Sequence, residues 1–344
     1  MTERVIKYTE AFREAAHQLL ATYPDVFVIG LGVSYKNGAD GTTAGLKELY
    51  PERVLDVPVS EHAFTGMAVG AAISGLRPIV HHGRVEFSLL AADQLFTQAA
   101  KWNYMFGGGN PVPIVVRIAV GRQWGNGPQH TQALYGLFGS VPGLKVVIPS
   151  TPRMAKGLLV SAVQDPNPVI ILEPRWLYQT REAVPEAMFS EPLDRARVVK
   201  SGSSVTVAAY GDGFVAALEA CALLGEQAAV ELIDIVSISP IDHATVQKSV
   251  AKTGKLICVD TTQPRFSVGA ELVARAAAAD ILREAPVMLS CPDVPCPTSP
   301  ALTEAFYPTK RDIANAILRI LEKPELSVPL SFEELHLAPT LTIS

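Results

Sequence analysis

The sequence predicts an α/β protein of two domains, each a mostly parallel sheet flanked by helices. Three observations carry this. Short, β-branched apolar runs alternate with helical patterns through both halves of the chain, as they do where parallel strands are joined by helical crossovers. A polar stretch from Leu177 to Gly202, bearing Glu182, Pro185, Glu186, Glu191, Pro192 and Asp194, interrupts the alternation. The length, 344 residues, exceeds the roughly 100–200 of a single domain. The expected division is a first domain over 1–185, a linker over 186–202, a second domain over 203–323 and a surface tail over 324–344.

The elements follow in order. Thr9 to Tyr23 sets Phe12, Ala15, Ala16, Leu19 and Leu20 on one helical face. Val26 to Val33 is short and nearly all apolar, a buried strand. Phe64 to Ser74 is helical with Gly75 as its stop, and Arg77 to His81 is the next strand. Ser88 to Phe106 reads as one long helix ended by Gly107-Gly108-Gly109. Strands at Val112–Val120 and Leu144–Ile148, a helix at Arg153–Gln164 and a strand at Pro168–Leu172 complete the half. After the polar stretch come a strand at Ser204–Tyr210, a helix at Phe214–Leu224, and strands at Val230–Ile238 and Lys255–Asp260. A helix at Val268–Ala279, a strand at Pro286–Ser290 and a helix at Lys310–Leu321 close the second half. The residues after Lys323 include three prolines and show no helical period.

Composition narrows the function. With 29 Lys+Arg against 34 Asp+Glu, a formal charge of −5 and no basic clusters, nucleic acid is not the expected partner. No apolar run reaches the roughly 18 residues of a membrane span, and Met1-Thr-Glu-Arg-Val-Ile-Lys-Tyr has no apolar signal core. Cys221, Cys258, Cys291 and Cys296 are too sparse for a disulfide framework. The expected location is cytoplasmic. Charged residues make up 18% of the chain, below the roughly 25% usual for a soluble domain. That fits surface buried against another chain, or else an Ala- and Val-rich monomer.

Four motifs could carry chemistry. In Val59-Ser-Glu-His-Ala-Phe-Thr-Gly66, Ser60 could cap the helix with Glu61 favoured by its dipole. Equally, Glu61 could be a carboxylate in an apolar setting, where desolvation eases proton exchange. His130, in the loop Gly121 to Gln132 after a strand end, could be a general acid or base, or a structural hydrogen-bonder. Gly211-Asp212-Gly213 could let a backbone approach a phosphate or make a tight strand-to-helix turn. His62, His81 and His82 match no tetrahedral metal spacing, and no Gly-x-Ser-x-Gly elbow occurs.

Taken together, a set of stretches is more specific than any one of them. These are Val59-Ser-Glu-His-Ala-Phe-Thr-Gly-Met-Ala-Val-Gly-Ala-Ala, Asp93-Gln94 with Gln98-Ala-Ala-Lys, Pro113-Ile-Val-Val-Arg and Gly127-Pro-Gln-His-Thr-Gln. Pro142-Gly-Leu-Lys-Val-Val, Ala155-Lys-Gly-Leu, Asp165-Pro-Asn-Pro-Val, Val268-Gly-Ala-Glu and Pro292-Asp-Val-Pro-Cys-Pro continue them. In order and spacing they resemble the beta subunit of the 2-oxoacid dehydrogenase decarboxylating component, and more broadly the transketolase-like thiamine diphosphate enzymes. The resemblance runs over residues 5–322.

The resemblance implies a pyrimidine-binding first domain and a transketolase C-terminal-like second domain. It implies that Glu61 protonates the aminopyrimidine ring of thiamine diphosphate, that Phe87 stacks on that ring beside Gly83, and that His130 steadies the substrate carboxylate or developing charge. It also implies a potassium ion on the carbonyls of Ile114, Ala162, Val163, Asp165 and Asn167. Family members that hold Mg2+ and diphosphate follow Gly-Asp-Gly with an Asn pair, and here no Asn lies between Asn167 and Asn315. The implied partner is an alpha subunit carrying that motif, in a two-alpha, two-beta heterotetramer.

Three departures from the family pattern shape the expectation. His81-His-Gly-Arg-Val-Glu-Phe87 replaces bulky apolar residues with Gly83 and Arg84, which opens and charges the pocket mouth; Asp260-Thr-Thr-Gln replaces an acid-rich segment; and the tail from Pro324 stands where docking on an acyltransferase core would occur. The expected function is a beta subunit that decarboxylates a 2-oxoacid and transfers the acyl or aldehyde unit. The alternatives are the C-terminal subunit of a split transketolase, with His81, His82 and Arg84 on a sugar phosphate, and a non-catalytic stabilising subunit.

Overall fold

The computed structural model describes residues 4–122, 126–303, 305–336, 339 and 342–343. The chain divides into two compact units, one of residues 1–120, 138–193 and 339–344, the other of 121–137 and 194–338. Both are α/β, as the alternation predicts.

In the first unit, β1 (Val5–Lys7) leads into α1 (Tyr8–Thr22), β2 (Val26–Gly30), β3 (Val54–Asp56), α2 (Glu61–Ile73) and β4 (Arg77–His82). Then come β5 (Val115–Val120), β6 (Lys145–Val147), α3 (Pro152–Gln164), β7 (Val169–Pro174) and β8 (Arg181–Ala183). The sheet runs β6-β7-β5-β4-β2-β3, every pair parallel. β5 and β7 are buried along their whole length, which is why they read as apolar runs, each broken by one charged residue, Arg117 and Glu173. The expected long helix at Ser88–Phe106 is instead broken, with a π-helical stretch over Asp93–Ala99 before a last α turn over Ala100–Met105.

In the second unit the sheet is built from β9 (Arg197–Lys200), β10 (Val205–Ala209), β11 (Val230–Asp234), β12 (Leu256–Val259) and β13 (Val287–Leu289), with helices α4 (Gly211–Leu224), α5 (His243–Thr253), α6 (Val268–Ala278) and α7 (Lys310–Ile320). Its order is β13-β12-β10-β11-β9, parallel except for the edge strand β9.

Several expectations are corrected. The stretch read as a linker is ordered structure. Lys156 of α3 is fully buried, and its ammonium is held by Glu14 Oε1 (2.5 Å) and the carbonyls of Pro185 (2.7 Å) and Glu186 (2.8 Å), while β9 pairs with β11. The strand expected over Val230–Ile238 stops at Asp234, because Val236 takes φ +57° and a second short strand starts at Ser237. For a β-branched residue that backbone is an outlier, so the strand cannot run through it. Helix α5 was not legible from apolar periodicity, since its buried residues are Val246, Ser249, Val250 and Thr253. Its hydroxyls are satisfied by Thr206 Oγ1, at 2.7 Å from Ser249 and 2.8 Å from Thr253. The tail expected on the surface makes specific contacts. Asn315 exchanges two hydrogen bonds with the backbone of Leu326 (3.2 and 2.8 Å), and Thr342–Ile343 adds a parallel strand to β8. No helix among the described residues is long and apolar enough to cross a membrane.

Candidate active site

Glu61 is the first residue of α2. Ser60 stands at the N-cap, but its side chain makes no capping bond, so the capping explanation of this sequence loses its main contact. The Glu61 side chain is 4% exposed, and its Oε2 is buried with no hydrogen-bond partner among the described residues. A buried carboxylate oxygen without a donor costs free energy. One turn on, Thr65 Oγ1 lies 3.0 Å from His82 Nε2, and the Phe64 ring packs on the His82 ring at 5.2 Å. These contacts clamp the start of α2 to the carboxyl end of β4.

Burial pushes the His82 imidazole down from 6.5 to about 3. Unfolded, the ring gains a proton below about pH 6.5; folded, it stays neutral until about pH 3. This group's contribution is therefore intact above 6.5 and falls as the pH drops from there, by about 1.4 kcal/mol per pH unit. In urea unfolding between about pH 4 and 6, His82→Phe is expected to remove one proton's worth of slope; an unaltered slope would refute it.

His81 points the other way. Successive strand residues face opposite sides of a sheet, and His81 is in register with Arg117 of β5. Arg117 forms a two-pronged pair with Glu173 (Nε to Oε1 2.6 Å, Nη2 to Oε2 2.9 Å) and lies 4.1 Å over the Phe12 ring. Tyr178 donates its hydroxyl to Glu173 Oε2 (3.2 Å). Burial, then the charges of Arg117, His82 and Arg175, hold the His81 ring well below its ordinary value, so it is neutral. His81 and His82, grouped by sequence as one anion-binding patch, thus serve opposite faces.

Beyond β4, Gly83 is open, with no atom within 4 Å of where a Cβ would stand. Arg84 is buried and Phe87 half-buried. Arg175, directly after β7, donates to Asp40 Oδ1 at 2.6 Å. Sequence reading gave no role to Thr65 or Arg117, which it met only within family stretches, and passed over Asp40 and Arg175. Arg175 did carry a signal, standing at the carboxyl end of a buried strand, where open α/β sheets place ligands.

The five residues expected to offer carbonyls to potassium gather around the start of β5 and the end of α3. The Ile114 carbonyl accepts from Val169 N (3.0 Å), and that of Val163 from Arg77 Nη1 (2.5 Å). Asp165 caps α3 and accepts from Asn167 N (2.9 Å). Two of the five carbonyls thus already accept a hydrogen bond, and each keeps a second lone pair.

In the second unit, His130 is half-buried in a bend, and its N–H donates to Gly127 O (3.2 Å). Residues 123–125 of its loop lie outside the described residues. Gly211 takes φ +56° at the β10–α4 junction, the tight turn that its glycine permits. Asp212 accepts from Thr261 Oγ1 (2.9 Å) and faces Arg122 (3.9 Å). Its carboxylate is committed inside the unit, and no cluster of three or more His, Cys, Asp or Glu suited to a metal occurs among the described residues.

The chain matches the family described as transketolase, pyrimidine binding domain, over residues 4–181, and transketolase, C-terminal domain, over residues 194–313. It is 38% identical over 325 residues to the acetoin:2,6-dichlorophenolindophenol oxidoreductase subunit beta of Cupriavidus necator, covering 91% of this chain and 96% of that one. To the pyruvate dehydrogenase E1 component subunit beta of Rhizobium meliloti it is 40% identical over 320 residues, 91% of this chain and 69% of that one. The mitochondrial counterpart from Homo sapiens is 38% identical over 321 residues, covering 91% and 89%. A solved structure titled split gene transketolase, inactive beta4 tetramer, superposes with a TM-score of 0.75 at 22% identity, covering 92% of this chain and 98% of that one. At that identity the likeness concerns the fold.

Proposed function

Because this chain belongs to the transketolase family, joining its pyrimidine-binding and C-terminal domains, and is similar along most of its length to beta subunits, we propose that it is the beta subunit of a thiamine diphosphate-dependent enzyme. Its reaction is decarboxylation of a 2-oxoacid with transfer of the acyl or aldehyde unit. The observation that carries this is the buried, partnerless Oε2 of Glu61 at the start of α2. A ring nitrogen of an aminopyrimidine is a fitting partner for that oxygen.

When bound, thiamine diphosphate supplies the carbanion chemistry, which is the cofactor's own. Glu61 would hold and return a proton at the pyrimidine nitrogen, in a site from which water is excluded. Phe87, half-buried, would offer its ring face to the pyrimidine, and the open space at Gly83 leaves room beside it. His130 would bind the substrate carboxylate. Potassium would sit on the carbonyls of Ile114, Ala162, Val163, Asp165 and Asn167, where it fixes a turn and takes no part in the reaction.

Magnesium and the diphosphate fall to a partner. Asp212, the one acid of the Gly-Asp-Gly triplet, is already bound to Thr261 and faces Arg122. The partner we infer is an alpha subunit bearing Gly-Asp-Gly and an Asn pair, in an alpha2beta2 assembly. Exposed apolar side chains are available to such an interface, among them Val59, Met67, Ile73, Leu90, Tyr104 and Met105. All four cysteines are free and buried, in keeping with the reducing cytoplasm.

Calorimetric titration tests the reading. The isolated chain is expected not to bind thiamine diphosphate with Mg2+, whereas the chain co-purified with the product of the adjacent reading frame binds it and turns over a 2-oxoacid. Tight binding by the chain alone would overturn the shared site.

A further inference from the structure

Two guanidinium groups are delivered to the same end of the first unit's sheet. Arg84 lies two residues beyond β4 and Arg175 directly beyond β7, and these strands flank β5. Arg84 is only 5% exposed, and among the charges acting on it that of Arg175 is the strongest, opposed by the Tyr178 phenol, Glu86 and Asp40. Arg175 also acts on His81, whose Nδ1 is buried with no partner among the described residues. Asp40, the acceptor for Arg175, sits in a left-handed turn (φ +57°) beside Ala39 (φ +22°). Non-glycine residues in that region carry strain, and strained turns gather at ligand sites.

We propose that Arg84 and Arg175 form a subsite for a second anionic group on the substrate, carboxylate or phosphate, remote from the bond that breaks. This deepens the 2-oxoacid reading and rests on it. The group cannot be the carboxylate that leaves. Loss of carbon dioxide discharges that carboxylate, so two guanidiniums on it would stabilise the ground state more than the transition state. A distal carboxylate or phosphate keeps its charge throughout, and a planar guanidinium can grip it with two parallel hydrogen bonds. Asp40 is the ligand the incoming anion displaces from Arg175.

The test uses the complex with the alpha partner and three 2-oxoacids: 2-oxopentanoate, 2-oxoglutarate and 3-phosphohydroxypyruvate. The specificity constant for one charged substrate is expected to exceed that for 2-oxopentanoate, and which one does so separates carboxylate from phosphate. Arg84→Met is expected to cut that ratio by roughly 10- to 100-fold, with Arg84→Lys restoring part of it. Arg175→Met reads the same ratio should Arg84→Met not fold. A ratio at or below one, or one unmoved by both variants, would overturn the subsite.

Titration of glutarate and inorganic phosphate onto the isolated chain keeps the two ideas apart. Binding that Arg84→Met weakens, in a complex that turns over no 2-oxoacid, sinks the reaction and leaves the subsite standing. Turnover of 2-oxopentanoate without any such binding sinks the subsite alone.

Discussion

Glu61→Gln is expected to lower turnover of the two-chain complex by about 10²- to 10⁴-fold, the usual worth of a positioned proton carrier. The amide is nearly the same size but cannot exchange a proton with a ring nitrogen. The fold should not suffer. Oε2 has no partner to lose, and replacing a buried carboxylate by an uncharged group relieves desolvation. Melting temperature of the isolated chain should therefore stay level or rise, the pattern of a residue kept for activity at the expense of stability. Activity within about threefold of the parent would remove Glu61 from the chemistry and return the chain to the stabilising-subunit reading. Loss of both activity and stability would instead make Glu61 a structural residue.

The second large effect lies beneath the site. Arg117 and Glu173 are 1% and 0% exposed, on neighbouring strands β5 and β7, where Arg117 is in register with Ile171 and Glu173 stands two residues further along β7. Glu173→Ala leaves a buried guanidinium against Phe12 and strips Tyr178 of its acceptor. Breaking one half of a buried pair costs about 3–5 kcal/mol, to be read as a shift in the urea midpoint at constant slope. Replacing both partners, as in Arg117→Met with Glu173→Leu, should recover most of that loss, because a well-packed apolar pair removes the stranded charge. A single variant costing under about 1 kcal/mol would mean that water reaches Arg117 and that His81 above it is less dry than its burial indicates.

Local signals located most of the fold. Helices with an apolar stripe stand out, such as α1 with Phe12, Ala15, Ala16, Leu19 and Leu20 buried, whose ends fall one residue before the expected Thr9 and Tyr23. α5 did not, since half its buried face is hydroxyl, yet its boundaries were written in Asp242, whose side chain accepts from Thr245 N, and in Gly254 at φ +72°. β8, of sequence Arg-Glu-Ala, resembles a loop because a half-exposed strand in a small sheet needs no apolar run. Glu61 and His130 are each legible as residue types, at a helix start and after a strand, but the surroundings of neither are.

What the chain's linear pattern settles is therefore the alternation of strand and helix, the two α/β halves, and the set of separated stretches that carries the family likeness. These depend on residues within one or two turns of each other. Tertiary structure alone decided the rest: that Arg117 meets Glu173 across 56 residues of sequence, and that Arg84 and Arg175 come to the same end of one sheet. Each of these follows from the strand order β7-β5-β4. Strand order arises from pairings between distant segments, and no local period records which buried strand will lie beside which.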